Sequence, residues 1–234
     1  MALFALVYEV RFAVQKLTIM KKHLIYSAFI LLLAAFSFSA CKKDNKTNAN
    51  NESLFKNTNW TGQFNYAGKG PEPVSIEFIE GGQLVWRELL ANHTGSWKIT
   101  GNQVAIGLDG SPSFKGDISG NTLTNIQSSD MSGRSLKSAS LNTDPIPELN
   151  GTVWGAANVS LKFKPGSVVD LIFGPPSNMP TYVDLPYLRT GRTIHFTATP
   201  DYDWFTVITN ASTMEGTNHA PGDPTVYGFQ VTKQ

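Results

Sequence analysis

The sequence is poor in cysteine and in charge, and it has no basic block. Cys41 is the only cysteine among 234 residues, so no disulfide can form within the chain. Charged residues make up 16% of the sequence, and residues 42–234 carry 15 Lys and Arg against 17 Asp and Glu, a formal net charge of −2. Because a basic patch is missing, we do not expect nucleic acid to be a partner.

Catalytic motifs are missing as well. The sequence contains no G-x-S-x-G elbow and no H-E-x-x-H pair. A glycosidase uses a pair of carboxylates. The scattered carboxylates that could supply such a pair are Glu77, Glu88, Asp170 and Asp184. Any β protein of this size offers as many, so we expect a non-enzymatic protein without a cofactor. A glycan-active hydrolase is the minor alternative.

Histidines and aspartates give little indication of a metal site. None of the histidines after Cys41 has a second histidine or a carboxylate at metal-ligand spacing: His93, His195 and His219. Asp201 and Asp203 flank a tyrosine, and two carboxylates one residue apart on a strand would share a face and could bind calcium. In a turn they accept backbone hydrogen bonds instead. We expect the turn role and no bound metal.

The single cysteine ends a signal-peptide pattern. Two lysines at 21–22 precede an apolar run over 24–38, and small residues at 39–40 come just before Cys41. A signal peptidase requires this order of cations, apolar span and small side chains. The pattern predicts a signal peptide over 20–40. Since 24–40 is 17 residues long, the short limit for a membrane-spanning helix, a membrane anchor is an alternative, as is an ordinary signal peptide with a free thiol.

This segment resembles the signal peptides of Bacteroidota-type lipoproteins. The residues that carry the resemblance are the A-C-K-K-D junction at 40–44, while Phe38 stands where the general lipobox has leucine. The resemblance implies that Cys41 is acylated and anchors the protein to a membrane. Lys42, in place of aspartate after the cysteine, implies the outer membrane.

The segments on either side of the signal peptide are not expected to fold. Residues 1–19 carry charges that interrupt any continuous apolar span, and Met20 followed by two lysines is typical of a true start. We therefore interpret 1–19 as a mis-called start, with a long amphipathic leader as the alternative. Residues 41–51 have no apolar side chain larger than alanine apart from the cysteine itself. Such a segment cannot offset its ordering entropy, which predicts a flexible tether.

From residue 54 onward, the dominant pattern is short alternating runs joined by glycine-containing turns. Val74–Phe78 alternates apolar and polar residues, and Gly81-Gly82 then allows the chain to reverse. The same arrangement recurs around Thr100-Gly101-Asn102 and around Ser119-Gly120-Asn121. Three consecutive hairpins of this kind predict an antiparallel meander. No later segment has the apolar spacing of a long helix, so we predict an all-β fold.

The second half of this region repeats the first. Trp60 corresponds to Trp154, VSIEF at Val74 to VSLKF at Val159, and Gly81 to Gly166. Two further pairs are SWKITGNQVAI at Ser96 with PYLRTGRTIHF at Pro186, and Phe114 with Phe205. The offsets are 94, 85, 90 and 91 residues, which we interpret as loop-length changes within a tandem duplication.

The repeat defines two units, 52–142 and 149–234, joined by a proline linker at 143–148. Each unit supplies about eight strands, and those predicted in the second are 152–157, 159–164, 168–173, 180–184, 187–190, 193–199, 204–209 and 226–232. Eight antiparallel strands can close into a barrel, which predicts two tandem small meander barrels. Two β-sandwich domains, or one large barrel made from both halves, are the alternatives.

Each unit begins with a tryptophan near a glycine, Gly62 after Trp60 and Gly151 before Trp154. This resembles the first strand of lipocalin-like calycin barrels, whose opening G-x-W tryptophan plugs the closed end. The resemblance implies a barrel whose interior holds either side chains or one small ligand.

Aromatic residues are the remaining candidates for a binding role. We expect four tryptophans in strand patterns to be core residues: Trp60, Trp86, Trp97 and Trp154. Tyr202 and Trp204 lie beside a proline turn and are expected to be exposed, and with Tyr182 and Tyr187 they are the candidate ligand-binding residues. We therefore expect a cell-envelope lipoprotein that binds a small apolar molecule or a glycan. A structural or inhibitory envelope protein with no ligand cavity is the alternative.

Overall fold

The structure is a computed structural model that describes these residues: 51–65, 70–89, 91–109, 113–129, 135–175, 181–198, 202–220, 222–223 and 225–234. The predicted mis-called start, the signal peptide, Cys41 and all of the predicted tether except Asn51 lie outside them. Asn51 begins a single helical turn and donates a hydrogen bond from Nδ2 to the Gly101 carbonyl at 3.1 Å. Within the described residues, no helix is long and apolar enough to cross a membrane.

The first unit is a closed barrel in which every strand pairs with its neighbour in sequence and the first strand pairs with the last. Its eight strands are β1 (Thr58–Asn65), β2 (Pro71–Ile79), β3 (Gln83–Arg87), β4 (Asn92–Thr100), β5 (Gln103–Leu108), β6 (Ser113–Ser119), β7 (Thr122–Ser128) and β8 (Ser135–Leu141).

The second unit is a closed barrel with the same connectivity. Its strands are β9 (Val153–Gly155), β10 (Val159–Lys164), β11 (Val168–Phe173), β12 (Tyr182–Thr190), β13 (Thr193–Ala198), β14 (Tyr202–Asn210), β15 (Thr213–His219) and β16 (Val226–Lys233). The predicted fold class, two tandem eight-stranded antiparallel barrels, is confirmed.

The hairpin turns follow from the glycines that the sequence repeats. Gly101, between β4 and β5, has a φ of 62°, and Gly191, between β12 and β13, has a φ of 58°. In both hairpins the flanking residues pair directly, Thr100 with Gln103 and Thr190 with Thr193. Glycine adopts this left-handed conformation without the cost that a Cβ imposes, so the two-residue turns fix the strand register.

Two strand predictions in the second unit were wrong, although the number of strands was right. The predicted strands 180–184 and 187–190 are one strand, β12, which bends where Asp184 adopts a φ of 54°. Pro186 lies inside β12 because the strand pairs with β11 before it and with β13 after it. The missed strand is β15, whose sequence TMEGTNH is mostly polar and whose pairing with β14 and β16 holds it in place.

One end of each barrel is closed by the residues that precede its first strand. In the first barrel, Phe55 is fully buried and stacks on Trp60 with ring centroids 4.6 Å apart. Thr58 Oγ1 donates to the Phe55 carbonyl at 2.9 Å and accepts from Trp60 Nε1 at 3.2 Å. Trp60 Nε1 has a second acceptor, the Leu54 carbonyl, at 3.3 Å. The threonine therefore connects the tryptophan to the residue that closes the barrel.

The second barrel repeats this closure 94 residues later. Leu149 is fully buried, Thr152 Oγ1 donates to its carbonyl at 2.5 Å, and Trp154 Nε1 donates to Thr152 Oγ1 at 2.9 Å. The common pattern is a large apolar residue, then a threonine three positions on, then a tryptophan two positions after that.

Both barrels belong to one compact unit, Thr47–Gln234. Side chains of the second barrel bind the predicted linker: Arg189 Nη2 donates to the Pro147 carbonyl at 2.8 Å, and the buried Arg192 donates to the Asp144 carbonyl. An apolar cluster contains Leu89 of the first unit with three residues of the second, Phe205, Val207 and Val226. Apolar burial and linker hydrogen bonds thus fix one barrel against the other.

Thr152→Val tests the closure of the second barrel. It removes the only acceptor that the described residues provide for Trp154 Nε1, so we expect the free energy of unfolding to fall by about 1–3 kcal/mol. Thr58→Val should cost less, about 1 kcal/mol, because the Leu54 carbonyl still accepts from Trp60. Urea unfolding measures both, with exposed Thr124→Val as the surface control. Equal losses for the two buried threonines would contradict the proposed roles.

Phe205→Ala tests the contact between the barrels. Phe205 is 3% exposed, and its truncation should cost about 3–5 kcal/mol. Since the loss falls on the apolar cluster shared by both units, we expect calorimetry to separate two unfolding transitions in the variant but not in the wild type. Val183→Ala, at a residue that is 62% exposed on the second barrel, is the control and should leave unfolding unchanged. Unfolding of Phe205→Ala that matches the wild type would argue against a coupled pair.

Candidate functional site

Aromatic rings fill the first barrel from end to end. Beyond the closed end, Trp86 and Phe114 stack with centroids 5.5 Å apart, and Phe64 meets Trp86 edge-on at 5.2 Å. All three rings are at most 2% exposed. Trp97, 8% exposed, donates from Nε1 to the Gln83 carbonyl at 2.9 Å. The prediction that Trp60, Trp86, Trp97 and Trp154 are core residues is confirmed.

The second barrel differs from the first in the length of its opening hairpin. β1 has 8 residues and β9 has 3, while β2 has 9 and β10 has 6. The Ala156 amide donates to the Val159 carbonyl at 2.8 Å, so the chain reverses at once after β9. The drop in repeat offset from 94 to 85 is therefore the loss of a hairpin tip that forms barrel wall in the first unit. It is not only a change in loop length.

This shortening removes the counterpart of Phe64, whose ring fills the first barrel. At the corresponding end of the second barrel lies a cavity of about 270 Å³, here called the open-end cavity. Its described lining is Ala156, Asn158, Val159, Phe173, Trp204, Asn218, Gly228, Phe229 and Gln230.

Trp204 is the central aromatic residue of the open-end cavity. It stacks on Phe196 with centroids 5.9 Å apart, and Phe173 and Phe229 lie at 5.9 Å and 5.1 Å from its ring. At 3% exposed it is buried, so the expected exposure of Trp204 was wrong. Its indole Nε1 is also buried and has no hydrogen-bond acceptor among the described residues. A buried donor of this kind carries a free-energy cost that a bound acceptor would remove.

The burial of Trp204 follows from register. Phe196 pairs with Trp204 in the second barrel as Ile106 pairs with Phe114 in the first. The true counterpart of Phe114 is therefore Trp204, and the predicted match with Phe205 was wrong by one residue. Because side chains alternate across a strand, Phe205 instead joins the cluster with Leu89 outside the barrel.

The other aromatic candidates lie away from the described lining of the cavity. Tyr202 and Tyr182 are half-buried and pack against the core of the second barrel. Tyr187 is half-buried and meets Phe163 edge-on at 5.3 Å, near the closed end. Of the four predicted ligand-binding residues, the structure places only Trp204 at the cavity. The ligand role of all four stays a prediction.

Three residues of the cavity lining have amide side chains. Asn158, Asn218 and Gln230 each carry a carbonyl oxygen that accepts and an NH₂ group that donates. No charged side chain lines the cavity within the part of the chain that the structure describes. The arrangement suits an uncharged ligand with both donors and acceptors.

The candidate glycosidase carboxylates are engaged in ion pairs and hydrogen bonds. Glu77 pairs with Arg87 at 2.9 Å, and the buried Glu88 accepts from Trp86 Nε1 at 2.8 Å. Asp170 and Asp184 share Lys164, at 2.7 Å and 2.6 Å. The hydrogen bond from Lys164 is the main reason that the pKa of Asp170 lies below its ordinary value. A glycosidase acid requires a raised pKa, so Asp170 is not prepared for that role.

The metal candidates are only partly described. Asp203 accepts from Thr197 Oγ1 at 2.9 Å and lies 3.7 Å from His195 Nε2, and Asp201 lies outside the described residues. His93 Nε2 lies 3.3 Å from Glu88 Oε1. Among the residues that the structure describes, no three His, Cys, Asp or Glu side chains come together as a metal site.

Comparison with known proteins finds no family model that matches the chain and no curated protein with significant similarity to it.

Proposed function

We propose that this protein is a lipid-anchored protein of the cell envelope whose second barrel binds a small uncharged ligand at its open end, without catalysis. The observation that carries the proposal is the difference between the repeats. The ring of Phe64 fills the first barrel where the second has a cavity of about 270 Å³. Both barrels have the same strand connectivity, so the cavity belongs to the second repeat and is not a general property of the fold.

The lining indicates the chemistry of the ligand. Flat apolar faces are offered by Trp204, Phe173 and Phe229. The buried Trp204 N–H has no acceptor among the described residues, so a ligand with an acceptor group would complete its hydrogen bonding. Asn158, Asn218 and Gln230 suit groups that both donate and accept, as hydroxyls do. Of the two predicted ligand classes, a small apolar molecule and a glycan, these amides favour the glycan. The described lining offers no general acid or base, which supports a binding role.

The first barrel supports a structural role for its own repeat. Among the residues that the structure describes, buried rings fill its interior at both ends. We propose that it positions the second barrel, to which the linker and the apolar cluster connect it.

The membrane location is proposed from the sequence. The order of cations, apolar run and small residues before Cys41 supports cleavage and acylation at that cysteine. Residues 42–51 would then connect the lipid to the first barrel, and Lys42 supports the outer membrane.

The first test is whether ligands reach Trp204. The five tryptophans give five indole N–H signals in heteronuclear NMR spectra of the labelled protein, and Trp204→Phe identifies the one that belongs to Trp204. Titration with neutral monosaccharides, and with benzyl alcohol as an apolar probe, should shift that signal saturably for at least one probe. Trp204→Phe keeps an aromatic ring at this position but removes the indole N–H donor, so the affinity for the probe should fall roughly five- to tenfold.

Trp86→Phe is the matched control for this titration, since it changes a buried indole at the corresponding end of the first barrel. It should leave the affinity within about twofold. A Trp204 signal that no probe moves would reject the binding role.

The second test is acylation at Cys41. The full chain, expressed in a bacterial host with lipoprotein processing, should incorporate labelled palmitate and sediment with the membrane fraction, and Cys41→Ser should do neither. Ser39→Ala keeps a small residue before the cysteine and should behave as the wild type. Palmitate incorporation into Cys41→Ser would contradict the proposed anchor, as would its absence from the wild type.

A further inference from the structure

A second cavity adjoins the open-end cavity, on the side facing the first barrel. It measures about 300 Å³ and is here called the interbarrel cavity. Its described lining is Gln63, Pro71, Pro73, Glu215, Gly216, Gly228, Phe229 and Gln230. Gly228, Phe229 and Gln230, consecutive residues of β16, line both cavities. This stretch of β16 is therefore a wall that the two cavities share.

Phe229 forms the bulk of that wall. Its half-buried ring lies 5.1 Å from Trp204 and directly over Gly216, where a Cβ would come within 2.1 Å of the ring. Only glycine at 216 leaves room for the ring in this position. Gly228, next to Phe229, has no side chain and is exposed. A Cβ at Gly228 would meet the Gly216 and Pro71 carbonyl oxygens, both at 3.9 Å, so β16 lies close to the first barrel here. A ligand that spans the two cavities therefore has to pass over the exposed backbone of Gly228.

The interbarrel cavity has a more apolar lining than the open-end cavity, with proline in place of tryptophan. Pro71 and Pro73 belong to β2 of the first barrel, and Pro71 provides an exposed flat apolar face while Pro73 is buried beside it. Gln63 of β1 donates to Glu215 of β15, which joins the two barrels across the cavity. The described lining contains one carboxylate and no cation, which disfavours phosphorylated, sulfated or other anionic ligands.

The sizes of the cavities suit consecutive units of a chain. Ligand pockets for drug-sized molecules are roughly 300–1,000 Å³. The interbarrel cavity is at the low end of that range and the open-end cavity lies just below it, so each holds about one ring. Both offer a flat apolar face together with amide groups, a combination that matches the apolar face and the hydroxyls of a sugar ring. A ligand that repeats this unit would fill both.

We propose that the two cavities form one groove across β16 that binds a linear, neutral oligosaccharide. This inference rests on the binding role proposed for the open end of the second barrel. One sugar ring occupies the open-end cavity beside Trp204, and a neighbouring ring of the same chain packs on Pro71. The first barrel then supplies one side of the interbarrel cavity from its outer face, through Gln63, Pro71 and Pro73.

Chain length is the variable that tests the groove. The probes are glucose, xylose and N-acetylglucosamine oligomers from one to six units, titrated into the full protein by calorimetry while NMR follows the Trp204 indole signal. For the series that binds, we expect affinity to rise at least about tenfold between one unit and three, and to change little beyond the length that fills the groove.

Pro71→Ala removes an exposed apolar face from the interbarrel cavity alone. It should weaken trimer binding about three- to tenfold and change monomer binding less than twofold. Pro145→Ala, at an exposed proline outside both linings, is the matched control and should change neither. Trp204→Phe should weaken monomer and trimer alike, because both place a ring in the open-end cavity.

The outcomes separate the groove from the binding role. Equal affinity for monomer and trimer, with the Trp204 signal shifted by both, would overturn the groove and leave the binding role intact. If affinity rises with oligosaccharide length and Pro71→Ala does not reduce that rise, the groove is also overturned, since the oligosaccharide would then bind along a different surface. If no oligosaccharide shifts the Trp204 signal, the groove is rejected, and benzyl alcohol then decides whether an apolar binding role survives. A signal that no probe moves rejects both.

Discussion

An eight-stranded antiparallel barrel encloses a volume that must be filled, and each repeat of this protein fills it in its own way. Protein interiors pack at nearly crystalline density, so each empty region costs contacts that the lining atoms would otherwise make. The first barrel meets this requirement with buried rings at both ends, including Phe55, Trp86 and Phe114. The second fills its closed end with Leu149 and Trp154 and leaves the other end incompletely filled. The open-end cavity is therefore a local exception to the dense packing that the described interiors of both barrels otherwise show.

Much of the fold could be predicted because the relevant signals are local. Alternating residues in Val74–Phe78 and glycines such as Gly101 determine hairpins within a few positions, and successive hairpins produce a meander. Because the sequence is duplicated, the same strand and turn patterns occur twice, and each repeat supports the prediction made for the other. The misread strands are those whose structure depends on partners. β15 has Met214 as its one fully buried large apolar side chain and is held by two neighbours, and Pro186 is compatible with β12 because the strand changes partners there.

The candidate site was predictable in part. The sequence indicated Trp204 but placed it at the surface, because a nearby proline suggests a turn, whereas its burial depends on pairing with Phe196. The cavity arises because the second barrel lacks the tip of its first hairpin. Residues that are absent from the sequence give no pattern from which a cavity could be predicted. Their only trace is the change in repeat offset between Trp154 and Val159. Asn158, Asn218 and Gln230 come from three different parts of the sequence, and only the closed barrel brings them together.

The short β9 also determines how firmly the second barrel is closed. β9 pairs with β16 at two positions and with β10 at three, whereas β1 pairs with β8 at six. Proteins open locally most easily at the segments that are held by the fewest hydrogen bonds and contacts. Amide protons near Gly155 should therefore exchange with solvent more readily than those near Gly62, and this seam borders the cavity. The second barrel can therefore fray next to the open-end cavity without unfolding as a whole, which would open a route between that cavity and solvent through a closed sheet.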